Sequence, residues 1–252
     1  AIACTVASGI VIFHLPMPVA STQQHGNVHE KHPTQVKTTE FTLLKMLRLQ
    51  TPKSRAAMML LAIRLNMALA FHIFNTIWPA SLRARFNFGP SDHARFMSFI
   101  GIAYAFSQGF VAKRLVQLMG KEGKVYIIMA CCRILGAGRY MAYYTDSLLV
   151  IYAIFLCIIN ALGTMNTVIT ADTGLVAPSN ELGGLFGILQ AAESAAGMLG
   201  PFLGGVISHY LGKDAPLIAV VGVYSFLFAF VSWGYERHVV FSANMTEGKK
   251  KV

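Results

Sequence analysis

Charged residues are scarce in this chain. Asp, Glu, Lys and Arg make up 13% of its 252 residues, about half of the roughly 25% that is usual for soluble domains. Hydrophobic residues make up 55%, and they gather in long runs. Few charges together with long apolar runs argue against a soluble globular fold and predict an integral membrane protein.

Signatures of catalysis and of structural metal binding are also lacking. Four cysteines are present, and all lie in apolar segments: Cys4, Cys131, Cys132 and Cys157. They form neither a disulfide framework nor a zinc-binding CxxC pair. No HExxH, GxSxG or P-loop motif occurs, so the sequence predicts no enzyme activity, no cofactor and no ATP hydrolysis.

Three histidines, His25, His29 and His32, stand close together in a polar stretch. A metal site there remains an alternative interpretation. A solvated linker is favoured, because metal sites need fixed geometry and supporting hydrogen bonds. We therefore predict no resident metal ion.

Six apolar runs are long enough to cross a membrane. About 20 helical residues span a hydrocarbon layer of about 30 Å, and continuous rather than alternating hydrophobicity predicts helices instead of a β-barrel. The six predicted spans are Ala57–Pro79, Phe96–Val116, Val125–Tyr144, Leu148–Thr170, Gly184–Tyr210 and Pro216–Gly234. The predicted fold class is an all-α membrane protein built around this six-helix bundle.

The chain divides into four predicted regions. Residues 1–15 have the composition of the end of a truncated transmembrane helix, and residues 16–56 form a polar linker with a short amphipathic helix. Residues 57–236 hold the six-helix bundle, and residues 237–252 form a basic tail. We interpret the sequence as a C-terminal fragment of a longer protein.

Basic residues are distributed unequally between the two sides of the predicted bundle. The linker, the loop between the second and third spans, and the tail hold most of them. The opposite loops hold only four: Arg83, Arg85, Arg95 and Lys213. By the positive-inside rule, this bias predicts that the linker and the tail are cytoplasmic. The net charge of +10 therefore reports orientation in a lipid bilayer, and no nucleic-acid partner is expected.

A single carboxylate interrupts the fifth predicted span. Glu193 lies in GILQAAESAAGMLGP and is the only formal charge between Leu182 and Ser208. An ionised acid in mid-membrane costs at least about 2.5–3.5 kcal/mol, so it must be paired, hydrated or protonated. Gln190 and Gly197 share its helical stripe, which should face protein or water. Glu193 is the preferred proton carrier, and a structural Glu bonded to a neighbouring helix is the alternative.

Other polar residues fall inside the predicted spans, and we expect them to line a cavity. They are Arg64, His72, Asn75, Gln108, Asn160 and Asn166. Arg64 either reaches back to the headgroups or contacts the substrate, and both interpretations remain open. His72 is titratable in principle, but a packing role is favoured for it. Arg133 and Arg139 are either partners of a carboxylate or anchors at the headgroups.

Two residues are expected to disturb the regular geometry of their helices. Pro79 lacks a backbone N–H and should end or kink the first span. Gly163 should loosen the fourth span locally, because glycine is a poor helix former.

Two stretches resemble motifs of one transporter family, the major facilitator superfamily. The loop GFVAKRLVQLMGKEGK is similar to a degenerate copy of its cytoplasmic gating loop, with Gly109, Gly120 and Lys124 in place. The family's usual Asp is absent, and Ala112 or Lys113 stands near its position. Residues 183–208, GGLFGILQAAESAAGMLGPFLGGVIS, resemble the fifth span of the C-terminal half in drug-antiporter branches.

The resemblance covers nearly all of residues 1–236 and is strongest to the tetracycline-resistance-like and organic-cation-transporter-like branch. It implies one six-helix half of an alternating-access antiporter, whose N-terminal half is missing from this sequence. It also implies transport of a small organic solute, which we expect to be proton-coupled. The lone carboxylate favours a cationic solute. A non-transporting scaffold or receptor derived from a carrier is the alternative, and a polytopic membrane enzyme is disfavoured because no nucleophile or metal cluster is present.

Overall fold

The computed structural model describes residues 52–120, 123–176 and 182–235, together with 237 and 239. These residues belong to the second of two compact units, Glu40–Val252. The predicted truncated helix at 1–15, the amphipathic helix of the linker, the three clustered histidines and most of the basic tail lie outside the described residues.

The described residues form six helical rods, as the sequence predicts. Five are single helices: α1 (Pro52–Phe86), α4 (Lys124–Tyr144), α5 (Leu148–Val176), α6 (Leu182–Leu211) and α7 (Ala215–Tyr235). Within the described part of the chain, these five are long and apolar enough to cross a membrane. The sixth rod joins α2 (Pro90–Phe106), a π-helical turn (Ser107–Val111) and α3 (Ala112–Met119). It holds the second predicted span but is not among the five, so its crossing of the membrane stays a prediction. The all-helical fold class is therefore confirmed.

Residues that tolerate a left-handed backbone end several of the helices. Asn87 follows α1 with φ of 52°, and Gly120 and Gly212 follow α3 and α6 with φ of 64° and 99°. Asn and Gly are the residues that adopt such angles at least cost. Pro90 then starts α2 at a position where its missing N–H is harmless. The helix boundaries thus follow from local turn chemistry.

Pro79 does not end the first span, and that part of the prediction is wrong. Helix α1 continues seven residues beyond it to Phe86. Trp78 and Leu82, on either side of the proline, are 1% and 0% exposed. Burial of these two side chains holds both segments in one helix, and neighbouring helices commonly offset the backbone hydrogen bond that a proline removes.

Helix α1 makes the largest helix–helix interface of the described bundle. It packs most extensively against α6 and also contacts α5 and α7, while α4 lies against α5 and α7. An aromatic cluster joins α1, α2 and α5. In this cluster the Trp78 and Phe155 ring centroids are 4.9 Å apart, as are those of Phe96 and Phe155. Such edge and offset contacts add to the burial of large apolar area.

Glycines let α6 approach α1 closely. A Cβ atom added at Gly200 would lie 2.4 Å from the Cβ of His72, and one added at Gly204 would lie 3.2 Å from the Oγ1 of Thr76. Gly197 also contacts His72, whereas Gly187 has nothing within 4 Å. The predicted stripe of Glu193 therefore packs against α1 at Gly197, and Gly200 and Gly204 extend this contact along α6. Small residues of this kind bring membrane helices together.

Gly163 makes room for the π-helical turn. A Cβ atom there would lie 2.5 Å from the Oγ of Ser107. The Ser107 hydroxyl donates a hydrogen bond of 3.3 Å to the Asn160 carbonyl oxygen. Helix α5 is continuous through Gly163, and local loosening of the helix there stays a prediction.

Candidate transport site

The lone carboxylate of α6 is paired with an arginine of α1. Arg64 Nη2 lies 2.7 Å from Glu193 Oε2, and the two side chains are 18% and 35% exposed. Arg64 therefore does not extend to the headgroups. Each charge of the ion pair compensates the other, and both side chains are partly exposed. Pairing reduces the free-energy cost of holding either charge in the membrane.

The ion pair continues into a hydrogen-bonded chain. Arg64 Nη1 donates to Asn166 Oδ1 on α5. Asn166 Nδ2 donates to the Tyr104 hydroxyl at 2.5 Å, and Gln108 Nε2 donates to the same hydroxyl at 2.9 Å. We call these five residues, Glu193, Arg64, Asn166, Tyr104 and Gln108, the polar network. It links α6, α1, α5 and the α2–α3 rod.

Tyr104 is the network residue that the sequence analysis missed. Its hydroxyl oxygen accepts two hydrogen bonds, which fills both lone pairs and leaves the hydroxyl proton to donate elsewhere. A weak signal was available, because Tyr104 stands four residues before Gln108 and therefore lies on the same helical face. Without attention to this spacing, a tyrosine in an apolar span is interpreted as a packing residue.

Gln108 lies in the π-helical turn. The Ala112 N–H there bonds to the Ser107 carbonyl oxygen five residues earlier. Such turns are rare and are frequent at functional sites, because the additional residue changes the direction of the side chains that follow. Gly109 lies in the same turn and has nothing within 4 Å of an added Cβ atom. The π-helical turn thus holds the network residue Gln108 and, at Gly109, a position with open space beside the backbone.

The family model described as Major Facilitator Superfamily matches residues 1–201, which takes in α1 to α5 and the first part of α6. The chain belongs to the major facilitator superfamily. Comparisons with curated proteins and with solved structures gave no match.

Membership of this superfamily has direct consequences for the chain. It is an integral multi-pass membrane protein of a family of secondary transporters, and not an enzyme. Members of the family move small solutes across membranes. The polar network is therefore the candidate transport site of this superfamily member.

Among the described residues, no hydrogen bond joins the other predicted cavity residues to the network. The His72 ring lies against Gly197, one turn beyond Glu193, which agrees with a packing role. Gln190 and Asn75 are exposed. Asn160 Nδ2 bonds to the Leu156 carbonyl oxygen of its own helix at 2.8 Å, while its buried Oδ1 has no hydrogen-bond partner among the described residues.

A second polar cluster lies near one end of the superfamily bundle. Lys124 Nζ is 2.5 Å from Asp172 Oδ1, and the Tyr235 hydroxyl donates to Asp172 Oδ2, also at 2.5 Å. Asp172 is 2% exposed. Lys124, one of the predicted gating-loop residues, thus neutralises a buried acid, and the cluster joins α4, α5 and α7. Both carboxylate oxygens are satisfied, as burial of a charge requires.

Neither arginine of α4 is the partner of Glu193. Arg139 is 2% exposed; its Nη1 donates to the Leu135 carbonyl oxygen at 3.1 Å. Its guanidinium lies 4.9 Å from the Tyr224 ring centroid and 5.4 Å from that of Phe74. Arg133 is exposed on the surface of the bundle. Within the described ranges, no carboxylate lies within salt-bridge distance of either.

At the opposite end of the bundle, Arg85 links the end of α1 to the end of α4. Arg85, near the end of α1, donates to the carbonyl oxygens of Thr145 and Ala142 at 2.9 and 3.2 Å. Ala142 lies in the last turn of α4 and Thr145 caps the helix, and carbonyl groups at this end lack partners within the helix. A cation here also interacts favourably with the negative end of the helix dipole. Arg85 therefore holds α1 and α4 together away from the candidate transport site.

Proposed function

We propose that this chain forms the C-terminal six-helix half of a proton-coupled carrier that moves a small organic solute by alternating access. Residues 1–15 would belong to a preceding span, residues 16–56 would link it to the bundle, and residues 57–236 would form the half itself. The linker and the basic tail at 237–252 would face the cytoplasm, because most of the basic residues fall on that side.

The Glu193–Arg64 ion pair is the observation that carries this proposal. A buried acid with both oxygens satisfied, such as Asp172, stabilises a bundle. Glu193 differs, because one of its oxygens holds Arg64 and its side chain remains 35% exposed. An intramembrane acid that is both paired and accessible can exchange its partner for a proton or a solute.

Competition for Glu193 gives a mechanism for coupling. A proton bound to Glu193 would weaken its attraction to Arg64, whose guanidinium would keep its hydrogen bond to Asn166. A cationic solute would compete for the same carboxylate, since opposite charges attract strongly where water is sparse. Proton and cation would then occupy the site alternately, which is the requirement for antiport.

The remaining network residues would set the geometry of the site. Asn166 and Gln108 both donate to the Tyr104 hydroxyl, so its proton is free to donate to a solute acceptor. The network extends over four rods, and rocking of this half against its partner half would expose it to each side of the membrane in turn. Gly109 lies within the π-helical turn and Gly120 follows α3. Both glycines would allow the gating loop to move.

The test is proton-driven uptake of tetraethylammonium by the full-length natural protein reconstituted in liposomes. This probe is permanently charged, so a change of pH alters the carrier and not the probe. We expect an outward proton gradient to drive its uptake, and Glu193→Gln to abolish the response to the gradient. Asp214→Asn, which changes an acid at the end of a helix outside the network, is the matched control.

Two results would count against the proposal in different ways. Gradient-driven uptake that is unchanged in Glu193→Gln removes this residue from coupling. Absence of flux for cationic, neutral and anionic probes alike in the natural protein would favour a scaffold or receptor descended from a carrier.

A further inference from the structure

Arg133 lies near the midpoint of α4, a helix long and apolar enough to cross a membrane, and is exposed on the outside of the described bundle. It stands nine residues after the start of α4 at Lys124 and eleven before its end at Tyr144, or about 13 and 16 Å at 1.5 Å per residue. Its side chain is exposed. The helix surface at this depth normally meets lipid tails, where an arginine costs at least about 2.5–3.5 kcal/mol.

The guanidinium of Arg133 has little to compensate that cost. It lies 4.7 Å from the centroid of the Phe228 ring on α7, a cation–π contact. Among the described residues it has neither a carboxylate within 4.0 Å nor a hydrogen-bond acceptor. An arginine side chain is too short to carry its charge about 13 Å to either end of the helix.

Arg133 stands at the edge of a groove. The groove runs between α4 and α7 and has a volume of about 680 Å³. Small residues, Gly136, Ala137 and Ser225, line it beside Arg133 and Phe228. Neither α4 nor α7 contributes a residue to the polar network, so the groove is separate from the candidate transport site.

The depth of Arg133 decides which anion could reach it. Lipid phosphates and carboxylates lie at the interface, about 15 Å from the midplane of a hydrocarbon layer about 30 Å thick. A membrane-spanning helix can instead place a side-chain carboxylate at the midplane. Small residues in a groove are also what a second helix needs for close approach.

We propose that the α4–α7 groove binds a transmembrane helix of another protein that carries an Asp or Glu near its midpoint, paired with Arg133. A second copy of this chain is a poor source of that acid. Within the described spans, Glu193 is already paired with Arg64, and Asp172 is buried and bonded on both oxygens. The proposal is independent of transport, since it involves neither Glu193 nor Arg64.

The test uses a synthetic Leu/Ala transmembrane peptide with Lys flanks and one Glu at its centre, and a matched peptide with Gln. Energy transfer between labelled peptide and the labelled full-length natural protein in phosphatidylcholine vesicles measures association. We expect the Glu peptide to bind about three- to twentyfold more tightly than the Gln peptide, the range that interhelical polar contacts give. Arg133→Leu should reduce the affinity of the protein for the Glu peptide to its affinity for the Gln peptide.

Two control variants separate charge from packing. Arg95→Leu removes an exposed cation at the start of α2 and should leave both peptides unaffected. Ala137→Leu adds bulk at an exposed residue that lines the groove, and should weaken the binding of both peptides. Arg133→Leu removes a lipid-exposed charge, so the variant should fold, and its tetraethylammonium uptake should equal that of the natural protein.

Several results would overturn the proposal. Equal binding of the Glu and Gln peptides would mean that no carboxylate is recognised. Full binding of the Glu peptide by Arg133→Leu, or none by the natural protein, would remove Arg133 from the interface. Displacement of the Glu peptide by phosphatidylserine would identify a lipid headgroup as the occupant, and Arg133-dependent energy transfer between copies of this chain would identify a homodimer.

Discussion

The close contact between α6 and α1 makes Gly200 the most sensitive small residue of the bundle. In Gly200→Ala, the new Cβ would lie 2.4 Å from His72 Cβ and 3.2 Å from the His72 carbonyl carbon. Carbon atoms pack best at about 3.5–4.0 Å, so the two helices must separate locally by about 1–1.5 Å. The contact involves backbone as well as side-chain atoms, so a change of rotamer does not relieve it.

The expected cost of Gly200→Ala is about 1–3 kcal/mol of overpacking. Replacing glycine by alanine in a helix also gains about 1 kcal/mol of helix propensity, and Gly205→Ala is the control that isolates this gain. Gly205 lies on the same helix and has nothing within 4 Å of an added Cβ atom. We therefore expect Gly200→Ala to be less stable than Gly205→Ala by about 1–3 kcal/mol.

Thermal unfolding of the two purified variants in detergent measures this difference. Gly200→Ala should also transport less. Glu193 lies about two turns before Gly200 on α6, so separation of the two helices at Gly200 moves Glu193 away from Arg64 on α1. Equal stability and equal transport of the two variants would refute the reasoning, since the contact would then have no energetic consequence.

The remaining predictions concern the two polar clusters. Asp172→Asn should destabilise the bundle by about 3–5 kcal/mol in detergent unfolding, because it leaves Lys124 with an uncompensated charge in a buried site; Asp214→Asn, at a helix end, should change it little. A loss of similar size in both variants would mean that burial of Asp172 is not the cause. Tyr104→Phe removes the hydroxyl that accepts two network hydrogen bonds, so uptake should fall several-fold, while Tyr126→Phe on the exposed face of α4 should be neutral. Unaltered uptake by Tyr104→Phe would place its hydroxyl outside the transport site.

The spans and the lone acid could be predicted from sequence for one physical reason. Lipid offers no hydrogen bonds, so each crossing must be a long apolar helix, and an acid such as Glu193 within one stands out. The partner of that acid could not be predicted. Arg64 is 129 residues away in the chain, and helical spacing relates only residues of the same helix.

The details of helix packing could not be predicted from the sequence either. Gly200 and Gly205 look alike as letters, yet only Gly200 faces α1, because the rotation of α6 is set by its neighbours. The π-helical turn at Ser107–Val111 has no simple periodicity. The spacing of Tyr104 and Gln108 is only a weak signal, and the bond from Asn166 to the Tyr104 hydroxyl depends on α2 and α5 lying side by side. Continuation of α1 through Pro79 likewise depends on burial of Trp78 and Leu82 in the tertiary structure.

The central claim is that Glu193 exchanges a proton for a cationic solute, and proton release on solute binding tests it most directly. The full-length natural protein in lightly buffered detergent solution is mixed with tetraethylammonium, at a pH where uptake responds to the proton gradient, and the pH change is recorded. We predict release of protons by the natural protein and none by Glu193→Gln. Equal proton release from both proteins would contradict the account.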